Sequence, residues 1–132
     1  MTNPNTPLSP LSQLHARLLE LHRTLLGLVR VTYEKEHGTI PNPGAMLQLV
    51  IGDEAFAWLR PLSKLLVDLD DKDLVPDAAA ARVAVEGLMS GSNAFATRYA
   101  DVLESTPAVA AEHGEVMRIV KGLPETLPKV SA

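Results

Sequence analysis

The chain contains no cysteine and few aromatic residues: two Phe, two Tyr and one Trp among 132 residues. The first absence excludes disulfides, thiolate nucleophiles and cysteine-ligated zinc or iron–sulfur centres, and it is compatible with a reducing cytoplasm. The second means that any core is built from Leu, Val and Ala, a mixture that favours helices over sheets. Basic residues are scarce as well. Twelve Lys and Arg against sixteen Asp and Glu give a net charge of −4, which argues against a duplex nucleic-acid binder, since such proteins carry a basic stripe to neutralise phosphates. No stretch reaches the roughly 18 apolar residues of a membrane span. The start, MTNPNTPLSP, lacks both the basic and the apolar region of a signal peptide, so none is expected. Gly87 and Gly91 lack the lysine and strand context of a phosphate loop.

What is present is helical spacing. Residues 1–8 are polar and rich in Pro and Asn, and disorder is expected there. Ser9 is an N-cap candidate with Pro10 at the first helical position. From there Leu11, Leu14, Leu18, Leu21, Leu25 and Leu28 step by three and four as a heptad seam. A second row, His15, Leu19, His22, Leu26, Val29 and Tyr33, runs beside it, making the apolar face unusually wide. The helix should end near His37, where Gly38 can take a positive φ and Pro41 follows. Asn42, Asp53, Asp77, Asn93 and Thr106 are the next cap candidates. Between the first two, AMLQLVI is short and almost wholly apolar, which predicts a buried helix. The spacing therefore predicts an all-α, single-domain bundle over residues 9–123, with about five helices, one of them short, and a flexible tail at 124–132.

The segment DEAFAWLRPLSKLLVDLDD, Asp53 to Asp71, keeps Leu59, Leu62, Leu66 and Leu69 in helical register across Pro61. The expectation is one helix kinked at Pro61; the alternative is a break at Arg60, with Pro61 opening a new helix. Arg60 beside Trp58 and Phe56 is the best candidate ligand site, able to hold a small apolar or anionic molecule, although an Arg–aromatic or Arg–carboxylate contact of purely structural purpose is the commoner arrangement. This stretch, with the core FAWLRPLS at Phe56–Ser63 and an LHR at Leu21–Arg23, resembles a family of small uncharacterised bacterial helical proteins. The resemblance implies a cytoplasmic bacterial helical protein and supplies no substrate, cofactor or catalytic residue.

Catalytic and metal constellations are thin. Glu34 and His37 have one Glu-x-x-His spacing, but a carboxylate-bridged metal pair needs two. His15 and His22 are seven residues apart, hence about 10 Å along one helix face, too far to share a metal, while convergence of His15, His22 or His113 across helices stays open. Asp68, Asp70, Asp71 and Asp73 lack the glycine and glutamate of a calcium loop and read as a solvated helix end. No catalytic residue, metal ligand or cofactor is therefore expected. The leading functional expectation is a non-enzymatic cytoplasmic interaction or scaffold protein acting as a homodimer, with Leu19, Leu26 and Val29 at the interface, an unidentified protein as a further partner, and neither nucleic acid nor membrane. The alternative is a small-ligand-binding bundle with a pocket near Trp58 and Arg60.

Overall fold

Capping chemistry sets most of the helix boundaries. The structure, a computed structural model, describes residues 9–71, 73–91 and 93–124; the disorder expected of residues 1–8 and the tail beyond Pro124 lie outside them. Among the described residues the helices are α1 (Pro10–His37), α2 (Pro43–Gly52), α3 (Glu54–Ala57), α4 (Arg60–Leu69), α5 (Ala78–Ser90), α6 (Ala94–Ser105) and α7 (Pro107–Gly122), with no strand. Side-chain oxygens of Ser9, Asn42, Asp53, Asp77 and Asn93 accept backbone N–H groups in the first turns of α1, α2, α3, α5 and α6, satisfying donors that a helix start otherwise leaves orphaned. Thr106 stands at the cap of α7 without such a bond, and there Pro107 opens the helix. Gly38, with φ 91°, closes α1 by donating its N–H to the Glu34 carbonyl.

The expected kink does not form. The chain ends α3 at Ala57 and restarts at Arg60, so that Pro61 is the second residue of α4, where its missing N–H costs nothing. Trp58 and Leu59 keep right-handed backbone angles but tighten into a turn: the Leu59 N–H donates to the Phe56 carbonyl, and the N–H groups of Leu62 and Ser63 both donate to the Leu59 carbonyl. A break rather than a bend frees Phe56 and Leu59 to be buried on either side of the turn. This break is one reason the described residues form seven helices rather than about five.

The first seam of α1 is the axis of the bundle. Leu14, Leu18, Leu21 and Leu25 have no exposed surface, and they meet Leu59, Leu62, Leu65 and Leu66 around α4, Val85 of α5, Phe95 and Tyr99 of α6, and Val109, Val116 and Val120 of α7. α1 packs most extensively on α7 and also on α3, α4 and α5, while α5, α6 and α7 contact one another. The second row of α1 is covered by the same chain: Leu19, Leu26 and Val29 are half-buried against this core, His15 reaches the Leu66 carbonyl at 3.3 Å, and His22 Nε2 lies 2.7 Å from Ser63 Oγ. Much of the wide face of α1 is thus occupied within the chain, with Leu19, Leu26 and Val29 keeping part of their surface.

α2 reverses the other expectation. It was to be buried because it is short and apolar; none of its residues is buried, and Leu47 and Ile51 are 56% and 61% exposed. Its substantial packing is against α3 alone. The leucines of α1 and α4 already fill the interior, and the turn at Gly38 leads the chain off the end of α1. Ile40 and Phe56 are buried at the root of α2, outside the main core, with Phe56 against Tyr33 at 6.1 Å between ring centroids.

Candidate functional site

Two features stand outside the needs of the fold, and both lie beside the Phe56–Ser63 stretch. The first is α2, PGAMLQLVIG, ten residues without a charge. Ala45, Met46, Leu49 and Val50 share a half-buried face, while Leu47 and Ile51 stand exposed on another; exposed apolar residues scattered singly are ordinary, but two a turn apart on a helix without charge make an uncovered apolar surface. Its attachment is firm: Asn42 Oδ1 accepts the Ala45 N–H at 2.8 Å, and Glu34 Oε2 accepts the Ile40 N–H at 2.8 Å. Glu34 is thereby committed to the turn that launches α2, and Arg30 Nε stands 3.5 Å from the same oxygen. His37 lies on the Tyr33 ring, centroids 4.4 Å apart. The Glu-x-x-His spacing serves this corner, and among the described residues no group of three or more His, Asp or Glu side chains is close enough to hold a metal ion.

The second feature is a cavity of about 300 Å³ between α1, α3 and α6, lined by Leu28, Val29 and Tyr33 of α1, by Trp58, and by Arg98 and Val102 of α6, among others. Trp58 stacks on Phe95, which stacks on Tyr99, whose hydroxyl shares a hydrogen bond with His113 Nδ1 at 2.9 Å. Burial holds His113 neutral by lowering its pKa, and burial first and the charge of Glu112 second push the Tyr99 hydroxyl above its ordinary value; a hydrogen bond between a neutral tyrosine and a neutral imidazole fits both shifts. The Trp58 end of this aromatic file carries Arg98, its guanidinium carbon 5.4 Å from the indole centroid.

Of the residues expected to bind a ligand, the structure keeps Trp58 at the cavity and separates the others from it. Arg60 is exposed, and its guanidinium reaches the Asp53 carbonyl at 3.5 Å. Phe56 is buried at the root of α2. The cation at the indole is Arg98, forty residues on in the chain, and nothing local in the sequence marks it as Trp58's neighbour. Of the proposed interface set, Val29 lines the cavity, while Leu19 and Leu26 pack on the core.

His22 and Ser63, one from each of the two quoted motifs, meet at 2.7 Å across α1 and α4. A histidine held neutral by burial beside a serine has the composition of a nucleophile and its base. Neither residue lines any of the four cavities of about 300–420 Å³ described for the molecule, and the pair ties α1 to α4. The motif is otherwise structural: Phe56, Leu59 and Leu62 are buried and Pro61 opens α4. His15 Nε2 donates to the Leu66 carbonyl and lies 3.5 Å from Asp70, so it converges with neither His22 nor His113. Compared with protein-family models, with curated proteins and with solved structures, the chain matches none.

Proposed function

We propose that this chain is a non-enzymatic interaction module of the bacterial cytoplasm that works as a homodimer, with α2 as the contact element. The observation that carries the reading is the ten-residue, charge-free α2, none of whose residues is fully buried and whose Leu47 and Ile51 stand exposed. A two-fold contact sets each group opposite, or close to, its own copy. Any charged residue near such an axis would meet its like, and α2 has none. An uncovered apolar helix is otherwise an aggregation liability. A basic polar face, which membrane-surface helices use on anionic lipid, is absent from α2, and no described helix is long and apolar enough to cross a membrane. The bacterial, cytoplasmic assignment rests on the FAWLRPLS resemblance and on the absence of cysteine.

Sedimentation equilibrium at micromolar concentration tests it. The expected mass is twice the 14.2 kDa of one chain, and Ile51→Glu, at an exposed position, should return the chain to a folded monomer by burying a charge at the contact. A wild-type chain that sediments as a monomer, or an Ile51→Glu chain that stays dimeric, would overturn the assignment to α2.

A further inference from the structure

We infer that the cavity at Trp58 is a binding site for a small amphipathic monocarboxylate, its apolar body against Leu28, Val29, Tyr33 and Val102 and its carboxylate on Arg98. At about 300 Å³ the space is at the small end of ligand cavities and suits about 15 non-hydrogen atoms. Three other cavities on the molecule are comparable or larger, at about 360, 420 and 410 Å³. Most of their polar groups answer one another or near neighbours, and Arg17, which lines the one of about 360 Å³, lies in the field of Glu115. Lys64 donates to Asp68 at 2.7 Å in the cavity between α4, α5 and α6, His15 faces Asp70 at 3.5 Å in another, and in the third Glu20 and Arg118 pair with Arg23 and Glu115.

The Trp58 cavity differs in that the cation on its wall has no acceptor. Arg98 has no carboxylate or carbonyl partner among the described residues; its recorded contact is the face of the indole. A guanidinium that stacks by its face keeps its N–H fork on the edges, in the geometry that takes a carboxylate with two parallel bonds. The Trp58 Nε1–H is shut off from solvent and unpaired, so the indole meets the cavity through its ring rather than through its N–H. Glu36 lines the same cavity, largely exposed and 3.8 Å from His37. Its charge disfavours a second anionic group on the ligand, which is why the inference is a monocarboxylate. The site does not depend on self-association, since α2 contributes no residue to its lining.

The probes are 4-phenylbutyrate and its uncharged isostere 4-phenylbutanamide, followed by saturation-transfer NMR and titration calorimetry on the full chain. Wild-type protein should bind the carboxylate about tenfold more tightly than the amide, the scale of one charge-assisted hydrogen-bond pair. Arg98→Gln, at an exposed position, should bring the carboxylate down to the amide's affinity. Glu36→Gln should strengthen carboxylate binding, and Thr32→Trp, which fills the cavity from an exposed lining position, should abolish both. Equal affinity of the wild type for the two probes, binding of neither, an Arg98→Gln chain that keeps the preference, or a Thr32→Trp chain that still binds would each overturn the inference. Should Arg98→Gln melt at a lower temperature, the wild-type comparison and the Glu36 and Thr32 variants still decide it.

Discussion

α1 and α2 both carry more apolar residues than a surface helix needs, and they have opposite fates. In α1 the apolar residues recur with helical period and alternate with Arg17, Glu20, Arg23 and Arg30, so the helix has an inside and an outside, and four of its leucines are fully buried. In α2 the apolar residues follow one another without a period, and no face is polar enough to choose solvent. A periodic pattern says where a helix meets its own chain. An unbroken one says only that the helix is to be covered, and here its own chain covers it in part, leaving Leu47 and Ile51 exposed.

The sharpest way to break that contrast is to truncate one leucine on each helix. Leu21→Ala removes a side chain with no exposed surface and should cost about 2–5 kcal/mol in urea denaturation. Leu47→Ala removes one that is more than half exposed and should cost less than about 0.5 kcal/mol at concentrations where the chain is monomeric. Comparable losses would mean that α2 is packed into the subunit in solution, and its role as an adhesive would fail.

Much of the contrast was legible beforehand and its sign was not. The caps at Ser9, Asn42, Asp53, Asp77 and Asn93 were readable because capping is local, and each forms the expected bond. The first seam of α1 was readable because burial repeats with the helix. Whether a short apolar run lies inside or outside depends on how much interior the rest of the chain leaves, which no window of sequence contains; hence α2 was misplaced. The second row of α1 was read as surplus because its covering partners, Ser63 and the Leu66 carbonyl for the two histidines, lie 41 and 51 residues away. Trp58 was readable as part of a site from its singularity, but Arg98 over its ring is a tertiary fact.

A second test sits on that covered row. Ser63→Ala deletes the partner of His22 and leaves a half-buried ring nitrogen unanswered, for an expected loss of about 1–2 kcal/mol. A double-mutant cycle with His22→Ala should show the two changes to be non-additive. Additive losses would mean that the 2.7 Å contact contributes nothing of its own and that the row is held by apolar packing alone.

Acid gives a smaller effect on the same side of the comparison. Burial lowers the pKa of both His22 and His113 from 6.5. The unfolded chain then binds protons that the folded chain refuses, so stability is complete above the unfolded value of 6.5 and declines as pH falls through the lower folded values. Melting temperatures between about pH 8 and pH 5 should fall on the acid side, and replacing both histidines with glutamine should flatten that fall. A wild-type curve that rises on acidification would show the two rings stabilised as cations, contrary to their burial.

The smallest expected effect lies at the hinge between the two regimes. Had Pro61 kinked a continuous helix, its removal would disturb packing on both sides. As the exposed second residue of α4, with a backbone shape that alanine also adopts, it chiefly restricts the unfolded chain. Pro61→Ala should therefore destabilise by only about 0.4–1 kcal/mol. The restored N–H can nonetheless bond the Ala57 carbonyl and draw α3 and α4 toward one helix, which would turn Trp58 and re-aim α2 through α3. Backbone chemical shifts at Trp58 and Leu59 report the first change, the emission of the single tryptophan the second, and the sedimenting mass the third. Loss of the dimer with little loss of stability would show that the proline serves to present α2. A loss of several kcal/mol would instead make the break at Arg60 part of the core, and would join the two halves of the comparison that the rest of the molecule keeps apart.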